Sequence, residues 1–146
     1  MGNTITKTHR PILIVEDSDA DFEAMTRCLK GSGVQNPIHR CEDGSSALAY
    51  LSMLKASSAQ NPSIIFLDLN LPGADGREIL QRLKSDDALK VIPVLILSSS
   101  DRKEDVQLSY RSGANTYVQK PHHPAELKRF IEVFRDFWLH EGVLIA

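Results

Sequence analysis

Asp68 ends a short apolar run, Ser63-Ile64-Ile65-Phe66-Leu67, and Leu69-Asn70-Leu71-Pro72-Gly73 follows it at once. A continuous apolar run stopped by turn residues reads as a strand buried on both faces. A carboxylate closing such a strand sits at its carboxyl end, and in open parallel α/β sheets that edge binds ligands. Three more runs end the same way. Pro11–Val15 leads into Glu16-Asp17, Ile92–Leu97 into Ser98-Ser99-Ser100, and Ala114–Val118 is followed by Gln119-Lys120-Pro121. With the strands parallel, three carboxylates, an amine and a hydroxyl meet at one edge. Carboxylates so placed repel each other and resist joint ionisation. A hard divalent cation such as Mg²⁺ resolves the conflict, because it takes oxygen ligands and is commonly held by one or two carboxylates together with phosphate oxygens. Lys120 and Ser98 supply cationic and hydrogen-bonding contacts for a tetrahedral oxyanion. There is no G-x-x-x-x-G-K-[ST] cradle to make a nucleotide the obvious ligand. The chemistry that remains is attack of a carboxylate on phosphorus, forming an aspartyl phosphate, with metal and lysine offsetting the charge on the transferred group.

The elements that must position these residues alternate along the chain. After Glu16-Asp17, Ser18 caps a helix whose positive end suits Asp19 and Asp21 and whose stripe is Phe22, Met25, Cys28 and Leu29. Gly31-Ser32-Gly33 ends it, and Ile38–Cys41 is a second, shorter strand. Asp43-Gly44 turns into a helix with the stripe Ala47, Leu48, Leu51 and Leu54, and Ala56–Pro62 is a Ser/Asn-rich connection. Asp75-Gly76 opens a helix carrying Ile79, Leu80 and Leu83. Arg102–Arg111 is a weakly amphipathic helix capped by Ser99 or Ser100, with Val106, Leu108 and Tyr110 as its apolar residues, and a last helix runs from Pro124 to Leu139. Five strand–helix units imply a parallel sheet covered on both faces and built from right-handed crossovers.

A length of 146 residues suits one domain, with 42% apolar residues to fill a core. The net charge of −2, with no Lys/Arg run, argues against nucleic acid as a partner. No apolar run approaches the ~20 residues of a membrane span. Residues 1–9 read as a loose polar N-terminus without a signal peptide. Met1–Thr6 fits the loose myristoylation pattern, which is short and common by chance. Cys28 and Cys41 lack metal or redox spacing and read as small core residues in a reducing cytosol. His122-His123, flanked by prolines, reads as a turn.

In order, Ile12-Leu13-Ile14-Val15-Glu16-Asp17, Leu67-Asp68-Leu69-Asn70-Leu71-Pro72-Gly73, Val94-Leu95-Ile96-Leu97-Ser98 and Tyr117-Val118-Gln119-Lys120-Pro121 resemble the receiver domain of two-component response regulators, the CheY-like family, over about Pro11 to Leu139. The resemblance implies a flavodoxin-like (βα)5 α/β fold, a doubly wound sheet of five parallel strands in the order 2-1-3-4-5. It implies Asp68 as the phosphoacceptor for a sensor histidine kinase, and Lys120 as the phosphoryl contact. Ser98 and Tyr117 become the switch pair. Asp17, Asp68 and the Asn70 backbone carbonyl would bind Mg²⁺, which Mn²⁺ or Ca²⁺ could replace, with Glu16 assisting through water. It also implies a cis bond at Lys120–Pro121. The longer connection after the second helix and the aromatic end Phe134-Arg135-Asp136-Phe137-Trp138-Leu139 are similar to the cyanobacterial phytochrome-associated response regulators, which would make a bacterial phytochrome the kinase.

On this reading residues 10–146 form a single cytoplasmic receiver domain with no output domain, not a turnover enzyme. Two rival functions make different demands on these residues. An Asp-nucleophile phosphatase of the haloacid-dehalogenase kind would carry Asp-x-Asp after a first strand, whereas here Asn70 replaces the second acid on strand three. A phosphorylation-independent adaptor would not need the complete acid set. The last helix has a core stripe at Leu127, Ile131, Phe134 and Trp138, and a second apolar row at Phe130, Val133 and Phe137. Both rows together exceed the ~100° stripe of an ordinary surface helix. The second row is therefore expected to be exposed and to form a homodimer with strand five and the fourth helix.

Overall fold

Successive residues of each strand point to opposite faces of a sheet, and here both faces are apolar. The computed structural model describes residues 10–56 and 61–141. Strands β1 (Ile12–Val15), β2 (Ile38–Cys41), β3 (Ile64–Leu67), β4 (Val94–Ser98) and β5 (Thr116–Gln119) form one sheet in the order β2-β1-β3-β4-β5. All pairings are parallel; Ile12 stands beside Ile38 on one side and Ile64 on the other. This is the expected doubly wound topology. β2 has the expected bounds; β1, β4 and β5 begin one or two residues later than expected, β4 at Val94 because Pro93 has no N–H for the ladder.

Leu13, Val15, Ile65, Leu67 and Ile96 pack on α2 (Gly44–Ala56) and α3 (Gly76–Ser85) through Ala47, Leu51, Leu54, Ile79, Leu80 and Leu83. Ile12, Ile14, Ile64, Phe66, Leu95 and Leu97 pack on α1 (Asp19–Gly31) and α5 (Pro124–Phe134) through Met25, Leu29, Ile131 and Phe134. The rings of Phe66 and Phe134 meet edge to face, centroids 5.0 Å apart. Cys41 is buried as expected, but Cys28 is only partly so.

Local signals act as read at two helix starts. The Ser18 hydroxyl accepts from Asp21 N at 3.2 Å, and the Asp75 carboxylate from Arg77 N at 2.9 Å. At α4 (Lys103–Arg111) the expectation fails: Arg102 is the cap residue and makes no side-chain cap bond. Ser100 lies too far upstream of Lys103, and its hydroxyl donates to Asp105 instead. The buried face of α4 is also polar, made by Asp105 and Ser109 rather than the expected apolar residues. Every peptide bond among the described residues is trans. The cis bond expected at Lys120–Pro121 is therefore corrected; trans is the ordinary isomer before proline, and Lys120 reaches its partners from it.

The last helix is not one continuous α-helix to Leu139. It widens into a π-helical segment over Arg135–Glu141, where Arg135 donates to the Ser32 carbonyl at the end of α1, 2.8 Å away. Phe130 packs on the core, correcting the expectation that it is exposed, whereas Val133 and Phe137 remain 59% and 69% exposed. Residues 1–9, with the myristoylation-like pattern, residues 57–60 of the connection after α2, and residues 142–146 lie outside the described residues.

Gly76, the first residue of α3, fixes how closely that helix approaches the end of β3. A Cβ there would lie 2.2 Å from the Asp68 carbonyl oxygen and 2.6 Å from Leu69 Cα. Both neighbours are backbone and cannot turn aside. Gly76→Ala is expected to lower stability by about 1–3 kcal/mol, read as a lower urea midpoint; an unchanged midpoint would show that α3 is free to move.

Candidate functional site

The four strand ends do converge. Glu16 follows β1 directly, and Asp68 follows β3, the neighbouring strand. Both carboxylates are buried, at 2% and 5% exposure, while Asp17 is exposed. One oxygen from each of Glu16, Asp17 and Asp68 can be chosen so that all lie within 4.8 Å of one another. Lys120 arrives from β5, two strands away from β3. Its backbone N–H donates to the Ser98 carbonyl at 2.8 Å, continuing the β4–β5 ladder by one residue. Its Nζ then lies 2.7 Å from Glu16 Oε1 and 2.8 Å from Asp68 Oδ2. A third carboxylate, Asp21 in the first turn of α1, also lies 2.8 Å from Nζ. From sequence, Asp21 reads only as a complement to the helix dipole. Its place in the first turn of a helix that starts directly after Glu16-Asp17 is the available signal.

The electrostatics follow from this geometry. Burial pushes the Glu16 carboxyl up to about 7; the Asp68 charge adds to the rise, and Lys120 and the Ser18 N–H oppose it. For Lys120, burial disfavours the charged amine, but hydrogen bonds to Asp21, Asp68 and Glu16 outweigh it and raise its pKa above the ordinary lysine value.

Asn70 is exposed, and its backbone N–H donates to Asp68 Oδ1 at 3.0 Å, which holds the carboxylate toward the loop. Ser98 is fully buried, and its hydroxyl accepts from Ser100 N at 3.2 Å. Tyr117 packs on the core, and its hydroxyl donates to the Ser100 carbonyl at 2.8 Å. The two expected switch residues thus meet on Ser100, which was read only as a cap. Ser100 is anchored in turn by a hydrogen bond to Asp105 Oδ2 at 2.6 Å, and Asp105 pairs with Arg77 at 2.7 Å. The Ser100 hydroxyl holds the Asp105 carboxyl below its ordinary value; burial opposes this, and Arg77 reinforces it.

A buried carboxylate thus lies against an amine and beside further carboxylates at the open edge of a doubly wound parallel sheet. The family model of the response regulator receiver domain matches residues 12–132, and the chain belongs to that family. The chain is 37% identical over 136 residues to response regulator Rcp1 of Synechocystis sp. (strain ATCC 27184 / PCC 6803 / Kazusa), covering 92% of each chain. Among solved structures, the phosphorylated cyanobacterial phytochrome response regulator RcpA is similar with TM-score 0.87 and 37% identity, over 94% of this chain and 99% of that one. The Mn²⁺-bound form of Rcp1 is similar with TM-score 0.85 and 36% identity, over 94% and 99%.

Because folding raises the Glu16 pKa from 4.5 to about 7, the folded state holds more protons than the unfolded chain between those values. Stability therefore falls as pH rises through that window. Without divalent cations, Glu16→Gln is expected to melt higher than wild type at pH 8 and to lose that advantage at pH 4. Melting curves in chelator test this; an equal offset at both pH values would show an unshifted carboxyl.

Proposed function

We propose that Asp68 accepts a phosphoryl group from a sensor histidine kinase and that the chain signals through partner binding, not as a turnover enzyme. The observation that carries this is the buried Asp68 carboxylate 2.8 Å from the Lys120 amine, with Glu16 and Asp17 alongside. Three carboxylate oxygens gathered at one point, outnumbering the single amine, fit a hard divalent cation. Asp17, Asp68 and the Asn70 carbonyl would hold Mg²⁺, with Mn²⁺ or Ca²⁺ as substitutes and Glu16 acting through water. When bound, the cation offsets charge on the transferred phosphoryl group.

The protein's own groups do the rest. An Asp68 oxygen attacks phosphorus, and Lys120 donates to a phosphoryl oxygen in place of Asp68. Ser98 supplies the hydroxyl on β4, and Ser98 and Tyr117 carry the change outward through Ser100. The similarity to the cyanobacterial phytochrome response regulator RcpA supports a bacterial phytochrome as the kinase. The acidic balance supports protein rather than nucleic acid as the target. No described helix is long and apolar enough to cross a membrane, and a cytoplasmic receiver domain over residues 10–146 is the proposed unit. Mass spectrometry after incubation with acetyl phosphate is expected to show one added phosphoryl group, dependent on Mg²⁺ and absent from Asp68→Asn. Full labelling of that variant would sink the assignment.

The proposed output is a two-fold homodimer through α5, β5 and α4. Val133 and Phe137 at the end of the last helix and Tyr110 on α4 are large apolar side chains open to solvent, at 59%, 69% and 49% exposure. Exposed apolar groups of this size gain most by covering one another across a symmetric contact. Sedimentation is expected to find a dimer in the wild type and a monomer in the Val133→Glu, Phe137→Glu variant. A wild type that stays monomeric at high micromolar concentration, with and without an aspartyl-phosphate mimic, removes the dimer.

A further inference from the structure

A lysine ammonium has three N–H donors, and each carboxylate around Lys120 lies within reach of one. Glu16 and Asp68 belong to the buried sheet edge, whereas the Asp21 side chain is 48% exposed. Asp21 and Lys120 both line a cavity of about 530 Å³ between α1 and the start of α5, walled in part by Met25, Arg27 and Leu127. Asp21 thus stands where the amine meets solvent. Its carboxylate is not one of the three that gather at the candidate metal position, which are Glu16, Asp17 and Asp68. Its charge nevertheless acts on any anion that approaches Lys120.

We propose that Asp21 is a positioning residue that sets which phosphodonors Asp68 accepts. It fixes the Lys120 amine and offsets its charge, so small free dianions are taken up poorly compared with a phosphohistidine docked on a kinase. This role rests on the reading of Asp68 as phosphoacceptor. With acetyl phosphate, an Asp68 carboxylate oxygen forms the new bond to phosphorus. The bond from phosphorus to the acetyl oxygen breaks, and acetate leaves with the electron pair; no proton moves. The Lys120 donor that served Asp68 passes to a phosphoryl oxygen, and the donors to Glu16 and Asp21 stay in place. The amine is therefore held throughout the step by two fixed acceptors, of which Asp21 is the one open to solvent and to the incoming donor.

Asp21→Asn separates the two roles, because its amide oxygen still accepts from Lys120 while the charge is gone. The experiment is the initial rate of Asp68 labelling against concentration of acetyl phosphate and of phosphoramidate, with Mg²⁺ present. Wild type, Asp21→Asn and Asp21→Ala are compared. Asp21→Asn is expected to raise the rate at subsaturating acetyl phosphate by roughly 5-fold, the effect of one unit charge on a dianion about 8 Å away in water. The gain should appear in KM, with the maximal rate little changed. It should be smaller for phosphoramidate, which carries less negative charge, and should fade toward 1 M salt, where screening acts within about 3 Å. Asp21→Ala should show the same salt-sensitive gain with a lower maximal rate, since the acceptor is lost as well. An acetyl phosphate rate that is unchanged or lower in Asp21→Asn would overturn the role of Asp21. So would a gain that is equal for both donors and insensitive to salt. If instead the wild type takes no label, or Asp68→Asn takes it fully, the phosphoacceptor reading itself fails and the Asp21 role falls with it.

Discussion

A single ammonium group placed among carboxylates makes this sheet edge possible. Glu16 and Asp68 sit side by side at the ends of neighbouring strands, both almost wholly removed from water. Two buried carboxylates without a partner would be driven toward their neutral forms. Lys120 stands within hydrogen-bond reach of both, and its charge opposes the rise at Glu16. The Ser98 carbonyl at the end of β4, the strand between, holds the Lys120 N–H. The amine then reaches from the fifth strand to the third and first. Strand order and strand length serve this one contact, and the raised Glu16 pKa marks chiefly the cost of burying that carboxyl, with the Asp68 charge adding to it.

Most of this arrangement was legible in the chain because it depends on strand ends. Apolar runs stopped by polar residues fix where each strand stops, and a parallel sheet puts all the stops together. What was not legible depends on helix faces and on side-chain pairs between distant segments. α4 buries Asp105 and Ser109, and apolar periodicity cannot find a polar face that is paid for by Arg77 on another helix. Asp21 has an obvious local reason to be where it is, at a helix start, and that reason hid its contact with residue 120. Phe130 stands three residues after Leu127 and four before Phe134 in the α-helical part of the last helix, so it borders the core stripe rather than the open row.

The path from the edge to the surface is short and polar. Ser98 accepts from the Ser100 N–H, and the Ser100 carbonyl accepts from Tyr117. Tyr117 N in turn donates to the Tyr110 hydroxyl at 3.1 Å, and Tyr110 lies on the face proposed to meet a second copy. A hydrogen bond is lost over a few tenths of an ångström or a modest change in angle, so this chain of contacts holds one geometry closely.

The Arg77–Asp105 pair gives the same region a different mechanical character. Two apolar helices in contact can slide, because dispersion contacts are non-directional and one set replaces another at little cost. A planar guanidinium against a carboxylate is directional. Arg77 grips Asp105 through Nε and Nη2, at 2.8 and 2.7 Å, and the same carboxylate holds the Ser100 hydroxyl. The start of α3, the start of α4 and the loop between β4 and α4 are therefore fastened like parts of a linkage with fixed angles. Motion imposed on that loop becomes rotation of two helices as one body rather than slippage between them.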